Sequence, residues 1–216
     1  MPPFGVLLFF NTREDTDLTV MENVPGSLNN GLRCLCHVLH RAIGKALDLP
    51  SVKSPLDKLR RLCAHVKNSC VLTEQLFREQ RKLSLPEQKL ILDAKWRWGY
   101  SYAMIQRFLD NKNAVAHLTF DAEMVLSEED ITCLQNIADV LGEIVANLTM
   151  LEGDRYPTLS MAAPRIAFLK SGPFRAKSSD CQIVKDVRKE IEDYVDVRYP
   201  LYPIHHAAAL HDSRFV

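Results

Sequence analysis

The sequence lacks a net charge and lacks an apolar run long enough to cross a membrane. Its 216 residues contain 27 Lys and Arg against 27 Asp and Glu, so the whole-chain charge gives no pull towards nucleic acid or a membrane surface. The apolar run at residues 4–10 is too short for a secretory signal or a transmembrane helix. We therefore expect an intracellular protein whose six cysteines are reduced thiols.

The chain also lacks the common short motifs of enzymes. It has no Gly-rich phosphate loop, no Ser-His-Asp arrangement, no Cys-x-x-Cys pair and no His-Glu-x-x-His. These absences argue against nucleotide hydrolysis, triad-type hydrolysis and zinc proteolysis.

Charge is unevenly distributed along the chain. Residues 53–82 hold eight Lys and Arg against three acidic residues, an excess of five positive charges. Residues 121–154 hold nine acidic residues and no Lys or Arg. Two solvated helix faces would explain this distribution, and an anion-binding surface on the first stretch is the alternative.

The start of the chain predicts one strand and one helix. The continuous apolar run at residues 6–10 is typical of a buried β-strand. After it, apolar side chains recur at steps of three and four from Leu32 to Leu47, which indicates one face of a helix. Pro50 is expected to end that helix.

Helical spacing dominates the rest. Ser54 and Pro55 predict a helix start, and the apolar spacing then continues to Phe77. The clearest helix begins at Ser127, with Asp130 forming an approximate capping box before an apolar stripe at residues 131–151. Further helices are predicted at residues 101–112 and 159–169. A last helix is predicted to carry residues 184–198, and Pro200 and Pro203 are expected to stop it.

Potential zinc ligands lie on two neighbouring predicted helices. They are Cys34, Cys36, His37 and His40 on the first, and Cys63, His65 and Cys70 on the second. Residues three and four apart share a helix face, so a tetrahedral zinc site is one interpretation. Because the spacing matches no standard zinc pattern, we favour buried cysteines and hydrogen-bonded histidines, and we predict no metal.

Two other clusters have both a functional and a structural interpretation. The first consists of Trp96, Arg97, Trp98, Tyr100 and Tyr102. Such a cluster can stack on an unpaired base, and packing around a helix start is the alternative. The second consists of His205, His206, His211 and Asp212, and we interpret it as a solvated segment rather than a metal site.

Several short motifs occur in a recognisable order. Thr16-Asp17 is followed by Cys34-x-x-His37-x-Leu39, then by Arg97-Trp98 with Tyr102 and Met104, and then by Leu210-x-Asp212-x-Arg214-Phe215. This order resembles the hAT transposase family. Within it, the chain is most similar to the vertebrate zinc-finger BED-domain proteins domesticated from such transposases, in a form without the BED finger.

The resemblance implies a fold and a domain division. The family has a ribonuclease H-like core interrupted by a large all-helical insertion domain. We therefore expect a mainly α protein: residues 1–50 would be a truncated remnant of the core with one or two short strands, and residues 51–216 the helical hAT-type insertion domain.

The resemblance also implies that catalysis has been lost. The family cuts DNA with three carboxylates that bind two divalent metals. Asp17 matches one of these, at best as an isolated remnant, and the other two would fall before residue 1 and beyond Val216. Since one carboxylate cannot hold two Mg²⁺ ions, we predict no catalytic residue, no cofactor and no enzyme activity.

Binding residues are the remaining implication. Cys34 and His37 keep the family's Cys-x-x-His motif, and the tryptophan after the arginine takes a DNA-facing role by analogy, although Gly99-Tyr100 replaces the usual Asn-Ser. The predicted DNA contacts are Trp98, Arg97, Arg60 and Arg61.

The function expected from these features is a domesticated, catalytically inactive protein. It would be nuclear by family resemblance and otherwise cytoplasmic. It would act as a protein- or DNA-binding module in transcription regulation, with unidentified protein partners and no membrane or small-molecule substrate. The alternative is a helical scaffold protein with no nucleic-acid role.

Overall fold

Helices supply all of the regular secondary structure among the residues that the structure describes. The computed structural model describes residues 33–93, 98–120, 124–148 and 159–212, and no strand occurs in those ranges. The helices there are α1 (Leu35–Leu47), α2 (Pro50–Asn68), α3 (Cys70–Lys82), α4 (Trp98–Ala116), α5 (Glu128–Leu148), α6 (Leu159–Ser171), α7 (Gln182–Arg198) and α8 (Pro203–Leu210). The mainly α fold is confirmed. The strand predicted at residues 6–10 lies outside the described residues.

Helix α5 forms for the reasons that its sequence indicates. The Ser127 hydroxyl accepts a hydrogen bond from the Asp130 amide, and the Asp130 carboxylate accepts one from the Ser127 amide, each at 3.1 Å. This reciprocal cap satisfies two of the amides that a helix start leaves open. The apolar stripe is buried where its side chains are described, with Ile137, Leu141 and Ile144 at 0% exposure. The cap and this part of the stripe are confirmed, and residues 149–151 lie outside the described residues.

The region predicted as one helix after Ser54 is in fact two helices, of which the first begins earlier, at Pro50. Pro50 does not only follow α1; it occupies the first turn of α2, where proline needs no amide partner. Ser69 then adopts an extended conformation and caps α3 by accepting a hydrogen bond from the Leu72 amide at 3.2 Å. The prediction was wrong here because the apolar spacing continues across Ser69.

Pro55 lies inside α2 rather than at its start. A proline has no amide hydrogen, so the carbonyl four residues earlier, that of Ser51, loses its usual helical donor. The Cys133 thiol of α5 lies 3.7 Å from that carbonyl oxygen and donates to it. The contact joins α2 to α5 and gives this buried cysteine a structural role.

The helices pack in pairs around one hydrophobic core within a compact unit that begins at Leu35. Helix α1 lies along α7, and α6 lies along α8. Helix α5 contacts α2, α4 and α7, while α3 lies between α2 and α4. None of these helices is both long and apolar enough to span a bilayer, among the residues that are described. The division at residue 50 into core remnant and insertion domain stays a prediction.

A buried arginine holds the loop between α6 and α7. The Arg188 guanidinium, only 3% exposed, donates to Asp180 and to Glu143, each at 3.0 Å, and to the Pro173 carbonyl. Lys177 adds a second ion pair to Glu143. A buried guanidinium is tolerated when its donors are all directed at acceptors. The network therefore fixes the loop against α5.

Helix α8 was not predicted, and its first turn corrects one interpretation. His205 is 1% exposed rather than solvated. Its Nδ1 accepts a hydrogen bond from the Tyr202 amide at 2.9 Å, and its Nε2 lies 3.3 Å from the Tyr199 hydroxyl. His206 and His211 are exposed. The buried ring is satisfied by its neighbours, so it packs α8 in place.

Candidate nucleic-acid interface

Most cations of the basic stretch at residues 53–82 face carboxylates. The pairs are Lys53–Asp48 at 3.6 Å, Lys58–Asp130 at 2.7 Å, Arg60–Asp57 at 2.6 Å, Arg60–Asp93 at 2.8 Å, Arg81–Glu74 at 3.4 Å, Arg81–Glu87 at 3.0 Å and Lys82–Glu79 at 2.7 Å. Arg61, Lys67 and Arg78 are exposed and make no ion pair with any described residue. The positive charge available to an external anion is therefore concentrated at these three side chains.

Arg60 belongs to a buried polar cluster. Its Nε lies 2.9 Å and its Nη2 2.8 Å from Asp93 Oδ2. Asp93 is 3% exposed and also accepts a hydrogen bond from the Ser101 hydroxyl at 2.8 Å. Through Asp93, Arg60 connects α2 to the first turn of α4. Its role as a DNA contact stays a prediction, and the geometry favours a positioning role instead.

Charge and burial in this cluster set the protonation of its members. Burial by itself lowers the pKa of Arg60, but the hydrogen bonds to Asp93 and Asp57 outweigh it, and the pKa is raised. Burial, and then the charge of Asp93, raises the pKa of the Cys63 thiol to about 12. Both effects favour the protonated form of the Cys63 thiol.

The other potential zinc ligands are not gathered around Cys63. His65 is exposed and contacts Phe120 edge to face, with ring centroids 6.4 Å apart. Cys34, His37 and Cys70 are exposed. Across the ranges described, no group of three or more His, Cys, Asp or Glu side chains is placed to hold a metal ion.

Helix α4 carries the aromatic and basic cluster at its start. It begins at Trp98. Arg97 and the side chain of Trp98 do not belong to the part of the chain that the structure describes. Tyr102 packs against α5, where a Cβ added at Gly142 would lie 3.2 Å from the tyrosine hydroxyl. Burial, followed by the charges of Asp139 and Asp110, raises the pKa of Tyr102. For Tyr102, packing is therefore the role that the structure shows.

One exposed surface was missed entirely from the sequence. His37, Arg41 and Lys45 are exposed at steps of four residues along α1, with the partly exposed Gly44 beside them. We call these four residues the α1 basic face. The sequence does show Arg41, Gly44 and Lys45 at helical spacing after the family motif. Such a short charge pattern usually indicates only a solvated helix surface, so it did not predict a binding surface.

Comparison with known proteins identifies the helical region. Residues 32–140, which include α1 to α4 and the first half of α5, match the family described as the ZBED1 RNase-like helical domain. A human protein, zinc finger BED domain-containing protein 4, is 24% identical over 161 residues. That alignment covers 70% of this chain and 14% of the human protein, so the chain spans about one seventh of its relative's length.

Proposed function

The chain belongs to the family of the ZBED1 RNase-like helical domain, among the BED-type proteins derived from hAT transposases, and from this premise we propose that it is a domesticated, non-catalytic, nuclear DNA-binding module. Its helical unit would bind the DNA. A role in transcription regulation would follow from that binding.

Exposed cations on the matched helices are the observation that carries the DNA-binding proposal. Arg41, Lys45, Arg61, Lys67 and Arg78 are all exposed, all lie within residues 32–140, and none forms an ion pair with a described residue. Lys and Arg side chains without intramolecular partners are free to replace the counterions of a phosphate backbone. The zero net charge of the chain conceals this local excess.

The loss of catalysis is proposed from the resemblance. Of three metal-binding carboxylates, the sequence pattern supplies Asp17 alone, and Asp17 lies outside the described residues. With a single carboxylate, two metal ions could not be held at the spacing that DNA cleavage needs. DNA would then be bound and left intact.

Fluorescence anisotropy tests the DNA-binding proposal. The purified chain is titrated against labelled single-stranded, duplex and hairpin DNA at two salt concentrations, beside Trp98→Ala. We expect sub-micromolar binding that weakens with salt, because each phosphate contact releases counterions. We also expect Trp98→Ala to reduce the preference for the hairpin, because an unpaired base stacks on aromatic rings. Binding that is absent even at low salt would contradict the proposal.

A second candidate is a protein-binding scaffold with no nucleic-acid role. The observation that favours it is a set of large apolar side chains exposed on the last three helices: Phe168, Val197, Ile204 and Leu210, between 40% and 77% exposed. Exposed apolar side chains are typical of protein interfaces when they are contiguous. The same titration separates the two candidates, since a scaffold would bind none of the three DNAs.

A further inference from the structure

Helix α1 presents a single exposed row opposite its buried side. His37, Arg41 and Lys45 are exposed, whereas Leu39 and Ile43, on the opposite side, are both 0% exposed. A helix rises about 1.5 Å per residue, so the eight steps from His37 to Lys45 extend over about 12 Å. The row therefore offers polar donors along the exposed side of a rigid element.

The two cations of this row are not neutralised within the described part of the chain. Neither Arg41 nor Lys45 forms an ion pair with a described residue, although nearby Lys53 pairs with Asp48. Elsewhere in the unit, cations such as Lys58 and Arg60 are matched to carboxylates. The α1 basic face keeps its charge available to a ligand.

Gly44 is a second and independent observation. A glycine inside a helix is destabilising relative to alanine, because it loses more backbone entropy on folding. Packing does not require it here: a Cβ added at Gly44 would meet nothing within 4 Å. No described neighbour gives a reason for the missing side chain. A ligand that approaches the helix backbone would give one, since glycine permits close backbone approach.

We propose that the α1 basic face binds the phosphate backbone of a nucleic acid, with Gly44 allowing the strand to lie against the helix between Arg41 and Lys45. The inference rests on the proposed DNA-binding function and names the surface that performs it. These contacts position the helical unit on a strand. They carry no sequence preference, because phosphates are the same at every base pair.

The geometry suits a strand better than an acidic protein. Arg41 and Lys45 lie four residues apart, about 6 Å along the helix axis, so the two cations can contact neighbouring phosphates of one strand. Protein interfaces have an apolar core inside a polar rim. The exposed row of α1 contains no large apolar side chain that could form such a core.

A charge-matched pair of variants tests the proposal. Arg41→Gln with Lys45→Gln removes one arginine and one lysine from the α1 basic face. The control, Arg175→Gln with Lys189→Gln, removes the same charges from exposed side chains in the loop after α6 and on α7, outside residues 32–140, and these side chains also form no ion pair with described residues. DNA affinity is measured by anisotropy from low to high salt. In the α1 variant the slope of log affinity against log salt should fall by about 2, and in the control it should not change.

Gly44→Ala tests the close approach of the strand to the helix backbone without changing any charge. We expect an unchanged or higher Tm, because alanine favours the helix, together with severalfold weaker DNA binding, because the methyl group holds the strand away. Weaker binding in the α1 variant and in Gly44→Ala supports the proposal. Unchanged affinity in Gly44→Ala contradicts it.

The remaining outcomes separate the inference from the proposed function. If the wild-type chain binds DNA and the α1 variant and its control respond alike, the inference is overturned and DNA binding stands. If the wild-type chain binds no DNA at low salt, both fail. If a poly-glutamate peptide binds as tightly as DNA and depends equally on Arg41 and Lys45, the face binds acidic protein and the inference is overturned.

Discussion

Arg60 and Arg61 are adjacent on α2 and have different surroundings. Arg60 donates to Asp57 and to the buried Asp93, whereas Arg61 is exposed and has no ion pair among the residues described. The sequence suggested the same DNA contact for both, because a pattern of neighbouring arginines does not show where an acidic partner 33 residues away will lie. In the folded chain, Arg60 therefore stabilises the structure, whereas Arg61 is exposed to solvent.

Stability should separate these two arginines. We expect Arg60→Ala to lower the free energy of unfolding by about 3–5 kcal/mol, because it leaves the Asp93 carboxylate buried without its cation. Arg61→Ala should change it by less than about 0.5 kcal/mol, as is usual at an exposed position. Urea denaturation of both variants measures the difference. Equal losses in the free energy of unfolding for the two variants would contradict a stabilising role for the contacts of Arg60 with Asp57 and Asp93.

His205 and His206 are a second adjacent pair with different surroundings. Burial lowers the pKa of His205 below its usual range, and the charge of His206 acts in the same direction. His205 therefore stays neutral in the folded state at a pH where the unfolded chain binds a proton. Its contribution to stability is fully present above the unfolded pKa of about 6.5 and is lost as the pH falls through the folded pKa.

Acidification from pH 7.5 should therefore reduce stability before the carboxylates titrate. We expect the free energy of unfolding to fall below about pH 6.5, by at most about 1.4 kcal/mol per pH unit. The ion pairs of Asp130 and Glu143 hold their pKa values low against burial, so those carboxylates act only at lower pH. In urea denaturation, His205→Gln should remove the fall between pH 7.5 and 5.5, and His206→Gln should keep it. A fall that survives His205→Gln would assign the effect to another group.

Among the elements, α5 shows local sequence and tertiary packing in agreement. Its cap, its acidic first turn and its apolar stripe all lie within one short segment, and each favours the same helix. Its buried side then contacts α2, α4 and α7. Removing side-chain volume there should open a cavity that several helices border.

Leu141→Ala or Ile144→Ala should lower the free energy of unfolding by about 2–5 kcal/mol, the usual cost of a core truncation. Gln135→Ala, at an exposed position of the same helix, should cost less than about 0.5 kcal/mol. Chemical denaturation of the three variants provides the comparison. A small effect at Leu141 would mean that this side of α5 is not the core.

The sequence predicted most of the helices but not all of their limits. Periodicity located α1, α5 and α7, because each buries one regular face. The sequence also predicted α4 and α6, although α6 buries four consecutive residues, 160–163, rather than one regular face. It did not find the break at Ser69, because apolar residues keep helical spacing across it. It also missed α8, since a proline that was expected to stop a helix instead occupies the first turn of the next one.

Less of the site than of the fold could be predicted. The family motifs indicated Cys34, His37 and the segment at the start of α4, and their role in a site stays a prediction. Ion pairing depends on residues that are distant in sequence. The pairing of Lys58 with Asp130 spans 72 positions, and no local pattern indicates it. For the same reason, the cations of the α1 basic face could be identified as unpaired only after the structure showed which other cations form ion pairs with described residues.

At the scale of the whole molecule, charges of both signs are unevenly distributed along the chain and are partly neutralised by contacts between distant regions. Lys58 from the basic stretch pairs with Asp130 from the acidic one. Glu143, also from the acidic stretch, is matched to Lys177 and Arg188 near α7. The positive charge left unpaired among the described residues lies in part on the helices that match the transposase-derived family, and it supports the proposal that the chain binds DNA without a net positive charge.

The proposal that the chain binds DNA without cleaving it is tested most directly by one incubation with labelled hairpin DNA and Mg²⁺ or Mn²⁺, analysed on native and denaturing gels. We expect a salt-sensitive shifted complex on the native gel and full-length DNA on the denaturing gel, for both the wild-type chain and Asp17→Asn. Cleavage that Asp17→Asn abolishes would show a surviving nuclease, and the absence of any shifted complex at low salt would show that DNA is not the ligand. Either result would contradict a non-catalytic DNA-binding function.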